Sequence, residues 1–135
     1  MIRYRYQSRA YTLNTFTDAD WAGEARERKS TSGGIVNFGD HTLRAWASTQ
    51  NVIALSSGES EYYGLVKAAS VSIGIRSMMA DLGVEVRIRL ITDATTGIAI
   101  ASRRGLGKIK HLDVAQLWVQ AKVKSKELEV SKIKN

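Results

Sequence analysis

Three acidic motifs in this chain have residue types suited to building one site: Thr17-Asp18-Ala19-Asp20-Trp21, Ser57-Gly58-Glu59-Ser60-Glu61 and Thr92-Asp93-Ala94-Thr95. Each stands where one sequence period gives way to another. The first and third close apolar, strand-like runs, and the second opens a helix. Carboxylates gathered from strand ends and a helix start are the oxygen donors that a hard divalent cation needs. Taken singly, acids at such places also cap turns and helices. Independent caps have no reason to converge on one point.

The two glutamates can be separated by geometry. Ser56 and Glu59 have the spacing of a capping box, in which Glu59 reaches back to the backbone N–H of the cap. Glu61 lies about 200° further round a helix of 3.6 residues per turn. It heads the stripe Glu61, Leu65, Ala68, Ser72, Ile75 and Met79, which faces the core. An unpaired charge on that face is costly, and a metal ion is a suitable partner. Asp18 and Asp20 share strand parity, and Asp18, nearer the regular strand, is the first choice. Asp93 precedes a helix, where N-capping is the alternative. Asp113, in Lys110-His111-Leu112-Asp113, reads as a cap or a partner of the helix dipole. Arg103, Arg104, Lys108 and Lys110 flank a glycine pair, as a basic loop or as contacts to a nucleic-acid backbone.

These groups need elements to hold them. Residues 1–10 read as an irregular basic leader. Residues 11–17, 35–38 and 43–48 read as strands of an antiparallel meander, with Gly39-Asp40 as a turn. A helix spans 57–82, stopped by Gly83. Residues 84–90 alternate Val, Val, Ile and Leu with charges, which is a strand. Helices follow over 95–102 and 112–124, and a last strand includes Leu128, Val130 and Ile133. The order β-β-β-α-β-α-α-β predicts an α/β fold with a five-stranded mixed sheet flanked by helices. Asp18 and Asp93 then end neighbouring central strands, at the carboxyl ends where such sheets bind ligands.

Composition narrows the chemistry. The 135 residues suit a single domain, 44% of them hydrophobic and 24% charged. The absence of cysteine excludes disulfides, thiolate zinc sites and cysteine nucleophiles. His41 and His111 are the only histidines, so a His-rich zinc pattern is absent, and Ser56 and Ser57 have no histidine base near them in sequence. No phosphate-binding G-x-x-x-x-G-K-[ST] loop occurs. No apolar run approaches the roughly 20 residues of a membrane span. Arg3, Arg5 and Arg9 interrupt any signal peptide. A net charge of +7 suits a polyanion such as nucleic acid, or simply a soluble surface.

Thr17-Asp18-Ala19-Asp20-Trp21-Ala22-Gly23, followed by Arg28-Lys29-Ser30-Thr31-Ser32-Gly33, resembles the opening of the ribonuclease H domain of copia-type (Pseudoviridae) retrotransposon polyproteins. The run from Ala54 to Tyr62 is similar to that family's helix motif, and Thr92-Asp93 and Lys110-His111-Leu112-Asp113 to its later landmarks. The resemblance runs in order from about residue 11 onward. It implies the ribonuclease H fold and hydrolysis of the RNA strand of an RNA–DNA hybrid. It also implies two Mg²⁺ ions, with Mn²⁺ as a substitute. Asp18, Glu61 and Asp93 match the first three metal-binding carboxylates. Ser56, Ser57 and Gly58 match the turn facing the hybrid's minor groove, where 2′-hydroxyls mark RNA. Arg28, Lys29, Ser30 and Lys108 are further expected nucleic-acid contacts. A reverse transcriptase domain in the same polyprotein is an implied partner, and cytoplasmic particles are an implied setting. The family's fourth carboxylate lies on a helix after the last strand. The expectation is therefore a fold lacking its usual C-terminal helix, with Asp20 or Asp113 as substitutes. Ala94 stands where the family often has Asn. The resemblance leaves open an active two-metal endonuclease and an impaired remnant that only binds nucleic acid.

Overall fold

Leu13, Thr15 and Thr17 are buried and alternate with more exposed neighbours along β1 (Thr12–Asp20), the middle strand of the sheet. The computed structural model describes residues 1–23, 26–102 and 118–133. β2 (Thr31–Phe38) pairs antiparallel with β1, and β3 (His41–Thr49) pairs antiparallel with β2. Gly39, at a φ of 61°, turns the chain between β2 and β3. β4 (Arg87–Thr92) lies parallel on the other side of β1, and β5 (Leu128–Lys132) parallel to β4. The order β3-β2-β1-β4-β5 makes the expected mixed sheet. The helices are α1 (Ser57–Asp81), α2 (Thr95–Ser102) and α3 (Trp118–Lys124), in the expected element order.

α1 is held to the sheet by its apolar stripe. Leu65, Ala68 and Ala69 join Leu13, Val36, Ile88 and Leu90 in the core. Fully burying a leucine such as Leu65 or Leu90 stabilises the fold by about 1.5–3 kcal/mol. A polar link crosses this layer: the Thr15 and Ser72 hydroxyls are 2.6 Å apart and both residues are fully buried. Ser72 donates to the Ala68 carbonyl at 2.7 Å, so Thr15 is the donor to Ser72. Among the described residues no helix is long and apolar enough to cross a membrane.

Several boundaries differ from the sequence reading. β1 continues to Asp20 because Asp18, Ala19 and Asp20 pair with Gly33, Ser32 and Thr31. Gly33 and Gly34 therefore belong to β2, and the Trp46 ring occupies the space that a side chain on Gly34 would need. β4 begins only at Arg87, whose N–H donates to the Tyr11 carbonyl at 2.8 Å, while Val84 N–H is spent on Met79 O at 2.9 Å. At the end of α1, Leu82 is the C-cap and 82% exposed, so the helix itself ends at Asp81.

Candidate functional site

The parallel pairing of β1 with β4 brings their carboxyl ends side by side. Asp18 lies within the last turn-ward residues of β1, and Asp93 directly follows β4. Both are exposed, and Asp18 Oδ1 accepts from the N–H of Ala19 at 2.9 Å.

Local sequence brings the start of α1 to the same place. Ser56, in extended conformation, caps the helix, and its Oγ accepts from Glu59 N–H at 3.2 Å. Gly58 then lets the first turn of α1 abut the first turn of α2, because any β-carbon there would overlap Thr96. Gly97 completes the contact: a β-carbon on it would lie 3.3 Å from both Glu61 Cβ and Leu65 Cδ1. The Gly97 N–H donates to the Glu61 carboxylate.

Electrostatics link the three acids. Burial pushes the pKa of Glu61 up, and the negative charges of Asp93 and Asp18 push it further, against the opposing Gly97 hydrogen bond. Asp20 is not among the charges acting on Glu61. Its carboxylate lies in the space that a side chain on Gly23 would fill. Three hard oxygen donors that repel one another fit a divalent cation chemically. Among the described residues no group of three His, Cys, Asp or Glu side chains is placed to hold a metal ion. The two observations agree, because Coulomb repulsion acts over several ångströms, whereas ligation needs oxygens at roughly 2.0–2.6 Å.

The sequence is 28% identical over 123 residues to the retrovirus-related Pol polyprotein from transposon TNT 1-94 of Nicotiana tabacum, covering 90% of this chain and 9% of the polyprotein. The corresponding polyprotein from transposon RE1 of Arabidopsis thaliana is 28% identical over 122 residues, covering 88% and 8%. The polyprotein from transposon RE2 of Arabidopsis thaliana is 34% identical over 74 residues, so these three relatives are retrotransposon Pol polyproteins, of which the chain spans less than a tenth. No protein-family model matches the chain. The fold matches LC11-RNase H1 in complex with an RNA/DNA hybrid, at a TM-score of 0.55 and 13% identity, over 90% of this chain and 84% of that one. It also matches a ribonuclease H domain from Mycobacterium tuberculosis at a TM-score of 0.56 and 17% identity, over 90% and 82%. The architecture is thus ribonuclease H-like.

Other expected site residues fall in different places. Glu59 is 1% exposed, and its carboxylate accepts from Leu55 N–H at 3.0 Å and Tyr63 O–H at 2.7 Å. It serves the helix start as expected, but through Leu55 and not through the N–H of Ser56. Ser30, expected to contact nucleic acid, is fully buried, and its hydroxyl accepts from Ala22 N–H at 3.1 Å. It braces the β1–β2 connection and presents no hydroxyl to solvent. Arg28 is exposed with a φ of 55°, and Lys29 pairs with Glu27. Ser56 and Ser57 are exposed beside the buried Gly58. Lys108 and Asp113, with Arg103, Arg104, Lys110 and His111, lie outside the described residues.

Two residues near the carboxylates escaped the sequence reading. Gly97 carried a weak signal, as a small residue one turn into the helix after Asp93. Lys132 is the polar end of a strand recognised only by its apolar alternates, and its Nζ donates to Thr95 Oγ1 at 3.1 Å.

Proposed function

We propose that this chain hydrolyses the RNA strand of RNA–DNA hybrids, with Asp18, Glu61 and Asp93 as the carboxylates that hold divalent cations. The observation that carries this reading is the shared electrostatic environment of Glu61, Asp93 and Asp18 at the carboxyl ends of β1 and β4. Homology to Pol polyproteins supports the substrate class, and the ribonuclease H-like fold supports the reaction class. Mg²⁺, or Mn²⁺ in its place, would supply an activated water and stabilise the leaving oxygen of the scissile phosphodiester.

The chain's own groups have defined tasks. Asp18 and Asp93 concentrate negative charge at adjacent strand ends. Glu61 approaches from α1, and the Gly97 N–H orients its carboxylate. Ser56 and Ser57 stand exposed beside this cluster, where hydroxyls can meet the sugar edge of RNA. A reverse transcriptase domain on the same polyprotein would supply further hold on the hybrid.

A second reading is a remnant that binds nucleic acid without cutting it; it is favoured in that, among the described residues, no group of three His, Cys, Asp or Glu side chains is placed to hold a metal ion. Cleavage of a labelled RNA–DNA hybrid in Mg²⁺ or Mn²⁺ separates the two. The first reading expects cuts in the RNA strand only, abolished by Asp18→Asn. Hybrid binding without metal-dependent cleavage would establish the second.

A further inference from the structure

We propose that Lys132 grips a phosphate of the nucleic-acid substrate at the edge of the carboxylate cluster; the inference rests on the ribonuclease H reading above. The parallel register of β4 and β5 sets Lys132 opposite Thr92, the residue before Asp93. Ile133 N–H donates to the Thr92 carbonyl at 3.0 Å, which fixes the end of β5 against the end of β4. The side chain is fixed as well. Its Nζ donates to Thr95 Oγ1, two residues past Asp93, at 3.1 Å.

Some of the other basic residues are already neutralised. Lys29 pairs with Glu27, Arg89 with Glu129, and Lys122 with Glu127. Lys132 makes no ion pair among the described residues, although Asp93 lies in the chain between its two partners, Thr92 and Thr95. An ammonium has three donors, and one of them is used. The others face solvent on the rim of the site, since Lys132 is exposed. A ligand with several anionic oxygens is what they can accept, and a phosphodiester is such a ligand. The carboxylates repel a phosphate chain, so a fixed cation at their edge offsets that repulsion where the backbone must approach. Tethering by Thr95 lowers the ordering cost of the long side chain on binding. Phosphate contacts of this kind set register without reading sequence.

The test uses binding of a fluorescent RNA–DNA hybrid in Mg²⁺, in an Asp18→Asn background that keeps the RNA intact. Adding Lys132→Ala or Lys132→Gln weakens binding roughly tenfold at low salt. Either lowers the slope of log affinity against log salt by about one. Lys132→Arg restores both. The melting temperature stays within about 2 °C of the parent, as for an exposed substitution. In the otherwise native chain Lys132→Gln raises KM far more than it lowers kcat. The glutamine variant can still hydrogen-bond Thr95, so it isolates the charge from the tether. An unchanged salt slope in that variant, with the hybrid still bound, overturns the role of Lys132 and leaves the ribonuclease reading standing. A parent protein that binds the hybrid no better than duplex DNA overturns both.

Discussion

Glu59 and Glu61 are two residues apart, and neutralising or removing their carboxylates changes stability in opposite directions. Glu59 is 1% exposed, and its carboxylate is the acceptor for Leu55 N–H and Tyr63 O–H. Hydrogen bonds to a charged acceptor contribute about 1.5–3 kcal/mol each. Glu59→Ala removes two of them, so the loss is at least about 3 kcal/mol. For a chain of 135 residues, the entropy of unfolding makes 1 kcal/mol about 3–4 °C in melting temperature, so the expected drop is about 10 °C. Glu61 is only partly buried, and burial and the charges of Asp93 and Asp18 act against its ionised form. Glu61→Gln keeps the shape and an acceptor for the Gly97 N–H while removing the charge. Its melting temperature in chelator at neutral pH rises above that of the parent.

The pH dependence follows from the same shift. A carboxyl whose folded pKa is raised binds more protons in the native state than in the unfolded state. This holds between the ordinary carboxylate value and the raised value. Stability from this group therefore falls as pH rises through that window. The parent and Glu61→Gln melt alike at the acidic end of the window and diverge above it, with the parent lower. Circular dichroism melts of the parent, Glu59→Ala and Glu61→Gln across this range test both halves. A Glu61→Gln protein that melts below the parent at neutral pH without metal refutes the electrostatic account of the site. A Glu59→Ala loss under about 1 kcal/mol refutes the assignment of Glu59 to the helix start.

Mn²⁺ titration raises the melting temperature of the parent by mass action, and Asp18→Asn or Glu61→Gln removes most of that rise, as read by calorimetry. Ser72→Ala leaves the buried Thr15 hydroxyl without its acceptor and costs about 1–3 kcal/mol, whereas Thr15→Val with Ser72→Ala costs less than the sum of the singles; urea unfolding of the four proteins measures the coupling. Gly58→Ala forces a β-carbon into Thr96, and the overpacking of about 1–3 kcal/mol outweighs a helix-propensity gain of at most about 1 kcal/mol. Thr96→Gly in the same chain restores the melting temperature if the clash is the cause.

Periodicity revealed the parts of the fold in which one residue's neighbours repeat along the chain. Alternation in Ile88 and Leu90 marked β4, and the stripe Leu65, Ala68 and Ser72 marked the buried face of α1. The same stripe singled out Glu61, because a glutamate in phase with buried alanines must be answered by something. What answers it was not legible. The Gly97 N–H and the Asp18 and Asp93 charges arrive from segments tens of residues away, brought by close packing at Gly58 and Gly97. The end of β1 escaped for a similar reason: Asp18 to Asp20 have turn-like composition, and only pairing with Gly33, Ser32 and Thr31 holds them extended. Ser30 was an expected contact only through the family resemblance, and its burial under Ala22 depends on how the β1–β2 connection folds back. Lys132 stands in phase with Leu128 and Val130, but at the last position of an edge strand a lysine in that phase reads as the end of the apolar pattern. Its interest arises from the β4–β5 register and from Thr95, a contact spanning 37 residues. A single acid that breaks an apolar period is therefore the strongest sequence clue to a site of this kind, and the cation that accompanies it is found only once the strands are in register.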